Sequence, residues 1–221
     1  MISAFLSAFR EIFDPRLRRI LALSVLIAAA VLAALAAGLG FLLYRTALFD
    51  VVYLDGAVKL LGGFAILVLT WLLFPAVATL VLGFFLDEAI ATVERRRYPL
   101  LPPPNRQSLA AMLRGAARLA LLSIVLNLLA LPAYLLVPGI NFLLFYAING
   151  WLLGREYFEL VALRRLDARQ VDLMWRAYRL HLIVAGALIA FLLTLPLVNL
   201  AAPLIAALFM LHLVERLRAV P

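Results

Sequence analysis

Residues 20–44 run for 25 positions without one charged side chain. In lipid such a segment finds no water for its N–H and C=O groups, so it must close its own hydrogen bonds as a helix. At about 1.5 Å per residue it is long enough to cross a hydrocarbon core about 30 Å thick. Arg16, Arg18 and Arg19 precede it, which gives the look of a signal peptide. The run is longer than a signal core, so it is read as a retained membrane helix. Residues 60–82 form a second uncharged run, interrupted by Pro75, where a kink or an end is expected. Between the two lies a polar loop, residues 45–59, with Asp50, Asp55 and Gly56.

Composition extends this reading to the whole chain. Of 221 residues, 67% are hydrophobic and 14% charged. A water-soluble domain has about half apolar and a quarter charged residues. Lipid must therefore be the solvent for much of the exterior, and the length suits one membrane domain. There is no cysteine, which excludes disulfides and thiolate metal sites.

The net charge of +8 fits either nucleic acid or an anionic membrane leaflet. Position decides between them. Residues 1–19, 95–118, 155–179 and 216–218 hold 18 of the 20 Lys and Arg, and Arg45 and Lys59 are the other two. These are membrane boundaries, without the contiguous basic and aromatic surface that a nucleic-acid binder needs. The positive-inside rule places all four segments, and both termini, in the cytoplasm.

The ends and the second half have their own patterns. Ile2, Phe5, Leu6, Phe9 and Phe13 form one apolar stripe on a short helix. It lies either flat in the membrane interface or packed on the bundle, and ends at Asp14-Pro15. Residues 83–97 read as the second helix leaving the membrane, with Asp87, Glu88 and Glu94 before three arginines. Pro99 and Pro102 to Pro104 make residues 98–105 a loop.

Ser108 starts a helix that is uncharged only over residues 119–131, with a break expected at Pro132, Pro138 and Gly139. Residues 140–154 are uncharged again. Residues 181–195 and 204–214 repeat the arrangement, with Pro196 and Pro203 bracketing a break. The four uncharged arms have 11 to 15 residues, about 17 to 22 Å of helix. Arms that short favour two re-entrant hairpins over six ordinary spanning helices, in which Arg114, Arg118, Arg176 and Arg179 would snorkel. The expected fold is all-α: an interfacial helix (1–14), two spanning helices and an exit helix (20–97), and two proline-tipped hairpins (106–218).

Few residues have the chemistry of a site. Arg18 and Arg19 could hold a tetrahedral oxyanion by charge-assisted hydrogen bonds, or anchor the helix on anionic lipid. Gly139 and Asn141 open one arm and Asn199 to Pro203 another, where helix N-termini present N–H groups suited to anions. The bland reading of both tips is a turn whose prolines stop helices. Glu94 and Arg96, and Arg155, Glu156 and Glu159, are mixed charges at helix ends, more often solvated pairs than a gate. Asn127 and Asn149 read as packing contacts between helices. His181 and His212 are isolated, without metal-ligand spacing. No nucleotide loop, metalloprotease helix, nucleophile elbow or intramembrane carboxylate pair is present.

Four stretches carry a resemblance to a known family. Pro15 to Arg19, Phe85 to Glu94, Val137 to Ile140 with Trp151, Leu152 and Tyr157, and Pro196 to Asn199 with Pro203 occur in order along most of the chain. Together they resemble the CysZ sulfate permeases, within the etoposide-induced membrane protein superfamily. The resemblance implies two long membrane helices plus two hemi-penetrating hairpins. It also implies a homo-oligomer in the bacterial inner membrane that takes up sulfate for cysteine synthesis, without an ATPase or a cofactor. Carried over by position, it makes Arg18 and Arg19 the sulfate ligands, with Glu94 and Arg96 lesser candidates. The rival expectation is a membrane scaffold or biogenesis factor that transports nothing. A membrane enzyme is expected least, since catalysis needs paired ionisable groups at depth.

Overall fold

The computed structural model describes residues 1–45, 52–105, 109–137 and 139–219. Asp50, Ser108 and Pro138 lie outside the described residues. Those described are all helical apart from short connections: α1 (Ile2–Glu11), α2 (Pro15–Arg45), α3 (Val52–Arg97), α4 (Leu109–Leu136), α5 (Asn141–Ala162), α6 (Ala168–Thr194) and α7 (Val198–Arg218). Five of them, α2, α3, α4, α6 and α7, are long and apolar enough to cross a membrane. The chain divides into two compact units, residues 15–86 and residues 1–14 with 87–221.

In the first unit Pro15 opens α2, where its missing N–H costs nothing and its fixed φ suits a first helical turn. The expected loop at residues 45–59 is partly helical. Tyr53 to Lys59 already belong to α3, and Asp55 pairs with Lys59 one turn on at 2.7 Å. Near this end α2 and α3 come close. A Cβ on Gly62 would stand 2.7 Å from the side-chain tip of Leu43. Pro75 does not end the helix, because α3 continues from Val52 to Arg97. Proline removes one N–H and frees one carbonyl, a cost that a long helix in protein or lipid can absorb.

The second unit is built on α7, whose residues 202–214 are all buried. A helix apolar on every side needs neighbours all round. α1, α5 and α6 pack on it, with Phe5 of α1 edge-on to Phe209 at 5.5 Å. The face that α1 turns inward is Ala4, Ala8 and Glu11. Of the large apolar residues in its sequence stripe, Ile2, Leu6, Phe9 and Phe13 are exposed and Phe5 joins the core around Leu192, Ala202 and Ile205. α1 is thus packed on the bundle through its small residues, with most of its apolar stripe left outward.

The tightest helix pair is α5 with α6. Gly150 and Gly154 are four apart on α5 and meet Gly186 of α6 backbone to backbone. A Cβ on Gly150 would stand 3.0 Å from the Ile183 carbonyl oxygen. Small residues at this spacing let membrane helices approach closely. α6 starts with a capping box, in which Asp167 accepts from the Gln170 N–H and the Gln170 side chain accepts from the Asp167 N–H.

The hairpin arms are longer than their uncharged stretches. α4, α5, α6 and α7 have 28, 22, 27 and 21 residues, because the helices continue through Arg114, Arg118, Arg155 and Arg176. The breaks are also narrower than the prolines suggest. Pro132 lies inside α4 and Pro203 inside α7, leaving connections at 137–140 and 195–197. Among the described residues of the two turns, Gly139 has a φ of 92° and Leu197 a φ of 65°. At Leu197 the Val198 N–H donates to the Pro196 carbonyl at 2.8 Å. Positive φ at the centre of this three-residue bond is the rare, strained γ-turn.

Candidate functional site

Arg18 and Arg19 sit in the opening turns of α2. Leu17, Ile20 and Ser24 fix the buried face of the helix, and both arginines are exposed. Among the described residues neither side chain enters an ion pair or a hydrogen bond. No acidic residue occupies the first turn. Cations there oppose the positive end of the helix dipole. A bound anion would relieve that repulsion and give both guanidiniums a charge-assisted hydrogen-bond partner.

Glu94, near the end of α3, is a buried hub. It accepts from Arg164 through Nε at 3.1 Å and Nη2 at 2.9 Å, and forms an ion pair with Arg165 Nη2 at 3.0 Å. Arg164 also donates to Asp87 at 2.8 Å, two turns earlier on α3. Burial disfavours the charged Arg164 guanidinium, but its hydrogen bonds and attraction to Glu94 and Asp87 outweigh this and raise its pKa. Arg165 donates to the Pro102 carbonyl, and the Asn105 N–H donates to the Arg164 carbonyl at 2.8 Å. The proline-rich loop is thereby tied to the α5–α6 connection. The Nε of Arg165 is buried without a hydrogen-bond partner among the described residues.

A second network ties α1 to the same end. Arg96 pairs with Asp14, and Arg97 donates to Glu11 at 3.1 Å. The other oxygen of Glu11 is 3.0 Å from Nε2 of His212, whose Nδ1 is 2.7 Å from the Tyr98 hydroxyl. The Tyr98 pKa is raised, by burial first and then by Glu215 and Glu11, against the opposing Arg216 and Arg97. In the tautomer with the proton on Nε2, His212 donates to Glu11 and Nδ1 accepts from the Tyr98 hydroxyl.

The tip residues differ from one another. Gly139 and Asn141 are exposed, and Asn141 is the first residue of α5. At the other tip the N–H groups of Val198, Asn199 and Leu200 already donate to the carbonyls of Pro196, Leu195 and Leu197. Asn127 and Asn149 donate to carbonyls one turn back in their own helices, Ser123 and Phe145, each at 2.9 Å.

The structure brings Glu94 and Arg96 to one end of their unit, in separate networks. Gly139 and Asn199 sit at the turns of the two hairpins. Arg18 and Arg19 belong to the other unit. Sequence reasoning missed Arg164 and Arg165 as the partners of Glu94, and Glu11 as the partner of His212. The only signal for Glu11 was its place four and three residues along the small-residue line Ala4, Ala8.

A family profile described as Sulfate transporter CysZ/Etoposide-induced protein 2.4 matches residues 4–203. No curated protein matches the chain.

Proposed function

This chain belongs to the family of sulfate transporter CysZ and etoposide-induced protein 2.4, and on that premise we propose that it is a sulfate permease. It works in a bacterial inner membrane, as a homo-oligomer of one membrane domain per chain, with both termini in the cytoplasm. It supplies sulfate for cysteine synthesis. Arg18 and Arg19 hold the anion. The observation that carries this is their exposure, at adjacent positions and without a partner among the described residues, at the start of an apolar 31-residue helix. Guanidiniums are planar donor forks that fit tetrahedral oxyanions.

The hairpins dip into the bilayer and return. Support comes from the uncharged zone of α5, residues 140–154, which covers only about 22 Å against about 30 Å of hydrocarbon. Along the route, Gly139 and Asn141 offer the α5 N-terminus to the anion. Asn199 contributes its side-chain amide, since the backbone donors around it are engaged. Glu94 acts at one remove, by holding Arg164 and Arg165, and Arg96 lines the same end.

The test is radiolabelled sulfate flux into proteoliposomes containing this protein alone. Saturable flux, reduced about tenfold or more by Arg18→Ala with Arg19→Ala, is expected from the loss of charge-assisted hydrogen bonds. Unchanged flux in that variant would show that the pair is a lipid anchor. No flux above empty liposomes, from folded and inserted protein, would favour a membrane scaffold.

A further inference from the structure

α4, α5 and α6 enclose a cavity of about 220 Å³ that has no part in the sulfate reading above. Arg118 of α4 and Arg176 of α6 are among its lining residues. Both are exposed, and among the described residues neither has an ion-pair partner. A third guanidinium, Arg155, is already committed. It pairs with Glu159 and, at 2.6 Å, with Asp172, and it stacks 5.1 Å from the Trp175 ring. Trp151 stands edge-on to Trp175 at 6.1 Å and also lines the space. Leu119 and Leu122 close the α4 side.

Three features define the ligand. The first is charge. Three guanidiniums against two carboxylates leave the lining at about one positive charge. Arg118 and Arg176 attract Asp172 at longer range but, among the described residues, make no close pair with it. Both carboxylates pair with Arg155, and Asp172 also lies in the field of Arg118 and Arg176, so the net field of the lining disfavours a cationic head. The second is depth. The uncharged stretch of α4 begins beside Arg118, that of α5 ends beside Arg155, and that of α6 begins after Arg179, one turn beyond Arg176. That is where headgroups meet hydrocarbon and where tryptophans concentrate. The third is size. The cavity would hold roughly seven waters at about 30 Å³ each, more than a bare oxyanion fills. Beyond it Leu121, Ile124, Leu128, Leu131 and Leu135 are all exposed and follow one face of α4, a track that an acyl chain can cover.

We propose that this cavity binds the headgroup of an anionic glycerophospholipid, its phosphodiester held between Arg118 and Arg176 and its acyl chain laid along α4. The lipid joins the two hairpins, since α4 and α5 belong to one and α6 to the other.

Trp151 and Trp175 allow a direct test. In full-length protein carrying Trp71→Phe, which removes the third tryptophan, emission is followed in vesicles containing brominated phosphatidylglycerol or brominated phosphatidylcholine. Half-maximal quenching is expected at about a tenfold lower fraction of phosphatidylglycerol, the effect of about one charge-assisted hydrogen bond. Arg118→Gln with Arg176→Gln should abolish the preference, and Arg118→Lys with Arg176→Lys should keep part of it. Equal quenching by the two lipids overturns the proposal, as does a preference that survives the glutamine variant. Should the glutamine variant fail to fold, the two lipids on the Trp71→Phe protein still decide. Relief of quenching by millimolar sulfate or inorganic phosphate also overturns it, because the ligand would then be a soluble oxyanion.

Discussion

Glu11 and His212 face each other at 3.0 Å across 201 residues of sequence. Both are buried, and each has a second partner, Arg97 for Glu11 and Tyr98 for His212. This bond joins the first helix to the last. Replacing Glu11 by alanine leaves the His212 and Arg97 donors without an acceptor. The expected cost is about 1–3 kcal/mol. A thermal-unfolding double-mutant cycle with His212→Ala should show clear non-additivity. The single variant should also expose α1 to protease before the rest of the protein.

The Tyr98 phenol gives a pH test. Its pKa lies above the ordinary value of about 10 because burial and the negative charges of Glu215 and Glu11 oppose ionisation. A group whose folded pKa is raised contributes stability below its unfolded pKa and loses it as pH rises through the folded value. The melting temperature should therefore fall above about pH 10. Tyr98→Phe should be less stable near neutrality but should lack that part of the alkaline fall. Equal alkaline slopes in the two proteins would remove Tyr98 from the network.

Glu94 is expected to be the costliest carboxylate to remove from α3. Glu94→Ala takes the shared carboxylate from two buried guanidiniums, leaving Arg164 with Asp87 and Arg165 with the Pro102 carbonyl, while the buried Nε of Arg165 has no partner among the described residues. Breaking a buried pair costs about 3–5 kcal/mol. Glu88→Ala, on an exposed position of the same helix, should stay within about 0.5 kcal/mol of wild type. Denaturant unfolding of the two variants side by side is the check.

Glycine at 186 is required by contact. A Cβ there would meet the backbone of Gly150 and Gly154, which cannot swing aside as a side chain can. Gly186→Ala should cost about 1–3 kcal/mol as overpacking. Gly115→Ala, with open space around it, should be neutral or slightly stabilising through helix propensity. Thermal stability in one detergent compares them.

Leu197→Gly is expected to stabilise. Leu197 is exposed and holds a φ of 65° in a γ-turn. Such strain costs about 1–3 kcal/mol for a residue with a Cβ. Glycine relieves it at some cost in unfolded-state entropy, so a net gain of about 1 kcal/mol or less is expected. A lower melting temperature would show that the leucine side chain makes a contact worth more than the strain.

The sequence alone determined the solvent and the elements. A 25-residue uncharged run and an apolar share of 67% leave helices in lipid as the only outcome. The charged residues marked where uncharged zones end, and the proline-rich stretch at 98–105 was rightly read as a loop. The prolines at 132 and 203 lie inside helices rather than at breaks, because a helix among other helices tolerates one lost hydrogen bond. Gly150 and Gly154 are legible as a small-residue pair, but only the fold shows Gly186 opposite them.

Tertiary structure alone decided which charges meet. Glu94 is 70 residues from Arg164, and Glu11 is 201 from His212. Local periodicity reaches about one helical turn and cannot pair groups so far apart. In a chain with so few charges, each buried one must find a partner at low dielectric. The sequence thus fixes that such pairings exist, and the packing of α1, α5 and α6 on α7 fixes which they are.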